Sequence, residues 1–436
     1  MIRCIFTLLF FMGVTACTTT SDSGARSSAS LKPVPVSAAI HYSVADTSGP
    51  EDLARLAILH HPSLKAARHR AERLAQKAPQ ERSLPDPSVE IGAGSMAETA
   101  AGRVDAMAGV KQKIPFPGKR SSAAAAAESE AAAAREDVKA LELKLTEQVH
   151  AAWWDLYLAE ETIRISSENR AVLEDLREVV DARVAADEAA QADQLRLANE
   201  LSLVDRDIAD AKQLKSTARS RLNSLLNRPA GASLPSASRT RIITLGSLKH
   251  LLAKAEASHP EVAAAQRRAD AFQHRLRRAK LEKYPDLTAG ISGASVSDSG
   301  LSGAANGRDQ VYATLGINIP LWQEPRRAMI REAREGISET ESMIAAARSE
   351  LRYRVEDAWH RAKTAHEVAN LFETRLIPDA QQAYDVTLAG YSAGRNSYTD
   401  LMETWQDLLG YRLQLAKNQA QVGKATATLR AAAGIR

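Results

Sequence analysis

The chain has 436 residues, 44% of them hydrophobic and 25% charged, a balance that excludes a disordered chain. Aromatics are only 5% and the 57 basic residues nearly match the 53 acidic ones, which favours Ala- and Leu-rich helices; nothing is basic for long, so a nucleic-acid surface is not indicated. The two cysteines, Cys4 and Cys17, both lie at the start, which excludes a disulfide framework or cysteine metal site in the body of the chain.

Met1-Ile2-Arg3 supplies a positive charge, and Cys4 to Ala16 is a mostly apolar run, shorter than the ~20 residues of a membrane-spanning helix. Residues 1–16 read as a secretory signal peptide. The run ends in Val14-Thr15-Ala16-Cys17. That ending resembles a bacterial lipobox, which implies that Cys17 becomes the acylated, palmitate-bearing N-terminus; the alternative is an ordinary signal peptide cut nearby. Residues 17–49 are rich in Ser, Thr, Ala and Pro and read as a lipid-anchored tether. Beyond residue 17 no apolar run reaches 18 residues, which excludes transmembrane helices but not transmembrane β-strands.

The remainder is written twice. His61-Pro62 recurs as His259-Pro260, Ile114-Pro115 as Ile319-Pro320, Val149 and Trp153 as Val355 and Trp359, and Asp193 as Asp400. The offset grows from 198 to 207 without breaking order, as small insertions in one ancestral unit would produce. The units are 50–227 and 246–436, with a linker over 228–245. Each reads as helix, two strands, very long helix, tight turn, helix.

In the first unit helices are predicted at 50–82, 118–183 and 194–227. Leu141, Leu145, Val149, Ala152, Leu156, Ala159 and Ile163 mark a coiled-coil stripe on the long helix. In the second unit the helices are 246–283, 323–389 and 399–433. At ~1.5 Å per residue the long helices reach roughly 100 Å, beyond what a globular domain needs. The two short helices of each unit have almost the length of the long one, so they can stack end to end beside it.

Strands are predicted at 87–96, 104–114, 286–296 and 310–319. Each alternates. Val311, Ala313, Leu315, Ile317 and Ile319 share one face against Tyr312, Thr314, Gly316 and Asn318; Val104, Ala106, Ala108, Val110 and Ile114 oppose Asp105, Met107, Gly109, Lys111 and Lys113. The lengths suit tilted membrane strands of ~9–11 residues, and they equally suit a small soluble sheet packed on one side. Four strands cannot close a barrel, and lipid does not tolerate an open edge, so membrane strands require several chains in one barrel.

Together the lipobox, the duplicated strand-pair-and-helix unit, "IPFPGKR" and "GYSAGRNSYTDLMETW" resemble the TolC-like outer-membrane efflux proteins over about residues 50–434. The resemblance implies a mainly α fold with a membrane β-barrel contribution. Duplicated long-helix hairpins of a homotrimer form an α-barrel tunnel, and four strands per chain form a shared twelve-stranded barrel. It implies outer-membrane localisation with a large periplasmic extension, a periplasmic adaptor (membrane fusion) protein and an inner-membrane pump of the RND type as partners, and passive export without a cofactor. "PFPGKR" and "RVAADEAAQADQLRL" look most like the heavy-metal branch. The competing readings are a conduit for drugs or secreted proteins and a periplasmic coiled-coil structural lipoprotein. No motif of nucleophilic, metal or nucleotide chemistry occurs in sensible context, so the chain is not read as an enzyme. His61 and His259, each before proline, read as helix breakers rather than metal ligands.

The turns after the long helices are the remaining candidates. Asp400 and Glu403 lie three apart on one helix face, which by itself is also what a solvated helix start looks like. By the resemblance, Tyr391, Asp400 and Glu403 match positions that close and line the periplasmic aperture, and three copies give a ring of six carboxylates that favours cations. The family's arginine near Tyr391 falls one place away, at Arg395-Asn396. The adaptor-contacting tips would be Asp187, Glu188 and Ala189 in the first unit, a turn without the usual glycine, and Gly394, Arg395, Asn396 and Ser397 in the second.

Overall fold

The computed structural model describes residue 44 and residues 49–94, 102–237, 246–298 and 307–435. The signal peptide, Cys17, nearly all of the tether and part of the linker lie outside the described residues. The elements in order are α1 (Pro50–His60), α2 (Pro62–Ala75), α3 (Lys77–Arg82), β1 (Ser88–Ala93), β2 (Arg103–Ile114), α4 (Lys119–Ala185) and α5 (Gln191–Leu225). The second set is α6 (Leu248–Ser258), α7 (Pro260–Leu281), β3 (Leu287–Ser297), β4 (Gln310–Ile317), α8 (Gln323–Leu371), a π-helical turn (Phe372–Leu376), α9 (Ile377–Ser392) and α10 (Tyr398–Ala432). Among the described residues no helix is long and apolar enough to cross a membrane.

The helix expected over 50–82 is three helices, and the one expected over 246–283 is two. Pro62 and Pro260 cannot donate a backbone hydrogen bond and push the preceding residue out of the helical region. His61 (ψ 124°) and His259 (ψ 131°) accordingly adopt extended backbone at matching positions. Nδ1 of His259 accepts from the Glu261 amide at 3.3 Å, and Nε2 sits 3.3 Å from the Ala431 carbonyl. A neutral ring protonated on Nε2 satisfies both contacts, and burial lowers its pKa. His259 is thus a side-chain cap, whereas His61 occupies the same backbone position without a capping bond from its ring.

On α4 the buried positions run Leu145, Val149, Ala152, Leu156, Ala159, Ser166, Asn169, Leu173, Leu176 and Val180. This is a 3.5-residue period; Leu141 and Ile163, at its expected positions, are partly buried. Helices α1–α3 and then α5 pack along α4. Leu53 and Ala57 of α1 and Leu222 and Leu225 of α5 meet Val149, Trp153 and Leu156 in one core, which α10 joins through Ala420. Trp154 lies so close to Gly423 of α10 that a Cβ there would overlap its ring.

The long helix expected over 323–389 is interrupted. Its buried stripe is Leu351, Val355, Ala358, Ala362, Ala365 and Ala369, and it resumes at Ala380, Tyr384 and Tyr391. Extending the 3.5-residue period from Leu351 predicts positions one residue earlier than those found. The π-helical turn at Phe372–Leu376 takes up that residue, just before Pro378, whose missing N–H an uninterrupted α-helix could not accommodate without loss. Across the same stretch the repeat offset rises from 206 (Val149 to Val355) to 207 (Asp193 to Asp400).

The strands form one antiparallel sheet in the order β1-β2-β3-β4. The register aligns Val89 with Val110 and Ile291 with Ala313, and pairs Ile91 with Ala108, Ala289 with Leu315 and Leu287 with Ile317. One face is therefore almost wholly apolar, and it is open: Ile91 is 77% and Leu315 79% exposed. Glu90, Lys111, Ser292, Thr288, Tyr312 and Thr314 occupy the other face. A bulge between Val104 and Ala106 puts Val104 opposite Val296 and removes it from the apolar face to which alternation alone assigned it. Phe116, which donates its backbone N–H, and Lys119 both reach the Asp286 carboxylate, at 2.9 and 2.8 Å. The "PFPGK" junction of the first unit is thereby tied to the entry of β3.

Candidate functional site

The two hairpin ends lie at the far end of the long helices from the sheet, and both use the same turn. Asp187 (φ 65°) and Gly394 (φ 71°) take the left-handed position. Asp187 N–H donates to Val184 O at 3.1 Å and Gly394 N–H to Tyr391 O at 3.0 Å. Glu188 N–H reaches Arg183 O and Arg395 N–H reaches Gly390 O, both at 2.8 Å. The first turn thus keeps its geometry without glycine, because aspartate is among the residues that tolerate this region. Asp187, Glu188, Gly394, Arg395 and Ser397 are exposed; Ala189 and Asn396 are partly so. Asn396 Oδ1 packs on Gly390, where a Cβ would collide with it at 2.4 Å.

Tyr391 is buried, at 2% exposure, in a core that joins both hairpins and includes Leu173, Leu176, Val180, Leu197, Tyr398, Leu401 and Trp405. It sits 6.3 Å from Tyr398, edge to face, and burial raises the pKa of both phenols. Asp400 and Glu403 lie elsewhere, side by side on the exposed face of α10 with Asp407 one turn further. Asp400 closes a capping box: Ser397 N–H donates to its carboxylate at 3.0 Å, and its own N–H donates to Ser397 Oγ at 3.2 Å. Hydrogen bonds from Ser397 hold its pKa below the ordinary carboxylate value. The structure therefore separates the three expected aperture residues into a buried ring and two solvent-facing acids.

Sequence reasoning missed Arg183. Its Nη1 donates to the Tyr391 carbonyl at 2.5 Å, its guanidinium lies 4.5 Å from the Tyr391 ring centre, and Nη2 donates to Glu188 O at 3.1 Å. Arg183, and not Arg395, brings a cation to Tyr391 and clasps the second hairpin to the first. A signal was available: Arg183 occupies the next position of the α4 stripe after Val180, where an apolar residue is due.

The model of the family described as outer membrane efflux protein matches residues 53–228 and 251–435. The chain belongs to this family. As an outer membrane efflux protein it is an outer-membrane channel component, and the sheet and the long helices fit that place. A curated relative is the cobalt-zinc-cadmium resistance protein CzcC of Cupriavidus metallidurans, 20% identical over 316 residues, covering 72% of this chain and 74% of the relative. Among solved structures, the outer membrane protein VceC of Vibrio cholerae shares the fold with a TM-score of 0.74 and 19% identity, over 88% of this chain and 96% of that one. The open state of the MtrE outer membrane channel of Neisseria gonorrhoeae matches with a TM-score of 0.72 and 17% identity, over 88% and 89% of the two chains.

Proposed function

We propose that three copies of this chain form the channel-tunnel of a tripartite efflux system, pooling twelve strands in one membrane barrel above a helical tunnel. The observation that carries this is the sheet. Its apolar face is open, its reverse is polar, and β1 and β4 have no strand beyond them among the described residues. In lipid, such edges must be closed by other strands. A periplasmic adaptor would dock on the tips, and an RND-type inner-membrane pump would load the tunnel.

The proposed cargo is divalent metal cations. The relative CzcC is named for cobalt, zinc and cadmium resistance, and the tip end is acidic. Residues 177–200 and 391–411 together hold nine acids and four basic residues, a field that concentrates cations at the entrance. Asp400 and Glu403 of three copies form the ring, with Tyr391 held behind it by Arg183. Cys17 is proposed as the acylated N-terminus, which mass spectrometry of the mature protein tests.

Native mass spectrometry in detergent should give a trimer, and planar bilayers should show cation-selective conductance. A non-conducting monomer would leave the periplasmic coiled-coil spacer as the better reading.

A further inference from the structure

Where the strands enter the helices, four segments distant in sequence converge: 77–87, 111–122, 275–286 and 318–331. They hold fourteen lysines and arginines against five acids, whereas the whole chain has 57 against 53. Outside this zone the chain is therefore net acidic. Three acids just outside these segments, Glu90, Glu128 and Glu130, pair with Lys111, Arg82 and Arg275, and the excess that remains lies beside the open apolar face. Beyond β4, Ile319, Leu321 and Trp322 are all highly exposed, Trp322 at 78%.

Several of the cations are not neutralised. Arg326 donates from Nε to the Glu282 carbonyl at 2.9 Å and from Nη1 to the Trp322 carbonyl, which leaves its charge unmatched by a carboxylate. Arg120 likewise donates to a carbonyl, that of Arg82, at 2.8 Å. Lys283 is exposed and lies 5.0 Å from the Tyr284 ring centre, and Tyr284 stacks on Phe116 at 4.5 Å. Arg327 is exposed beside Arg326; it acts on Glu324 only through space, and the ion pair of that carboxylate is with Arg331, at 2.6 Å. The buried Lys119, in contrast, is fully used by Asp286 and Glu282 at 2.8 and 3.1 Å.

We infer that this basic collar binds the headgroups of anionic phospholipids in the membrane leaflet nearest the helices. The inference rests on the membrane placement of the sheet. An apolar band edged by tryptophan and tyrosine, with lysine and arginine just beyond, meets the bilayer at its headgroup level. Guanidinium groups free of carboxylates suit phosphate oxygens. Each cation near an anionic surface contributes about a fivefold gain in affinity before salt screening. The ligand is the glycerophosphate diester of a lipid such as phosphatidylglycerol, with chains lying on Leu321 and Trp322.

The test uses the full-length protein in detergent, with native mass spectrometry to count retained short-chain phosphatidylglycerol against phosphatidylcholine of equal chain length. Wild type should retain phosphatidylglycerol at least tenfold better, and high salt should erase the difference. Lys283→Gln with Arg327→Gln removes two charges that hold no hydrogen bond, so the oligomer should persist while the preference falls about tenfold or more. Arg326→Lys should retain most of it. Equal retention of the two lipids by wild type overturns the inference, as does an unchanged preference in the double variant. Displacement of phosphatidylglycerol by millimolar inorganic phosphate alone would show a free-anion site and also overturn it. Conductance in phosphatidylcholine bilayers separates the two readings: a conducting channel without lipid preference sinks only the collar, whereas failure to insert into any bilayer removes the membrane placement and the collar with it.

Discussion

Replacing Arg183 by alanine should loosen the second hairpin's turn without unfolding the helices. The side chain is only 15% exposed, so its bonds are only partly screened. The charged hydrogen bond to the Tyr391 carbonyl contributes roughly 1.5–3 kcal/mol, and the guanidinium over the ring roughly 0.5–1 kcal/mol more. The bond to Glu188 O stays within the first hairpin and drops out of the comparison. A loss of about 2–4 kcal/mol corresponds to a roughly 30- to 700-fold larger population of the opened turn. Amide hydrogen exchange of Arg395 and Asn396, whose N–H groups both donate to Gly390 O at 2.8 and 3.3 Å, reads that population directly. Arg183→Lys should fall between the two, since lysine keeps charge but not the fork. Arg177→Ala, which removes only a pair with Asp181 on the same helix, should change little. Exchange at the turn within threefold of wild type in Arg183→Ala would refute the clasp. So would an equal acceleration at the distant turn where Arg228 N–H donates to Asn223 O.

Leu315→Lys, on the open apolar face, should cost about 2–4 kcal/mol of membrane folding if that face meets the bilayer midplane, while Thr314→Lys on the reverse face should be tolerated; folding yield into vesicles distinguishes them. Asp187→Gly should stabilise the first tip by about 1 kcal/mol, because aspartate holds φ 65° at a cost that glycine lacks, and thermal unfolding should shift upward. Burial depresses the pKa of His259, between Glu261 and Arg354. The unfolded chain therefore takes up its proton first, and stability present above the unfolded value of about 6.5 is lost as pH falls below it; His259→Asn should flatten that part of a pH–melting curve. Asp400→Asn with Glu403→Gln should lower cation selectivity in single-channel recordings. In a separate variant that keeps both acids, Ser397→Ala should make cation selectivity fail at a higher pH than in wild type, since the Ser397 hydrogen bonds hold Asp400 ionised as pH falls.

The architecture was legible because its signals are periodic. Leu145 through Leu156 announced the α4 stripe, and alternation in 310–319 announced the apolar face. Two breaks were less visible. The bulge beside Val104 depends on pairing with β3, almost two hundred residues away, and the π-helical turn appears in sequence only as a unit step in the repeat offset. The site was less legible still. The i, i+3 spacing of Asp400 and Glu403 puts them on one helix face, which is exposed in the chain, but the burial of Tyr391 follows from a core assembled out of both hairpins. The collar was hidden for the same reason: its charges are split among four segments that only the fold brings together.

The one-residue slip in the second hairpin breaks the symmetry of an otherwise doubled design. Helix α4 is uninterrupted, and its buried stripe keeps one phase along its length. In the second copy the long helix is interrupted at Phe372–Leu376. One residue of α-helix corresponds to about 100° of rotation about the axis. The extra residue therefore re-phases α9 against α8, and it is this turn of phase that brings Ala380, Tyr384 and Tyr391 back onto the core shared by both hairpins.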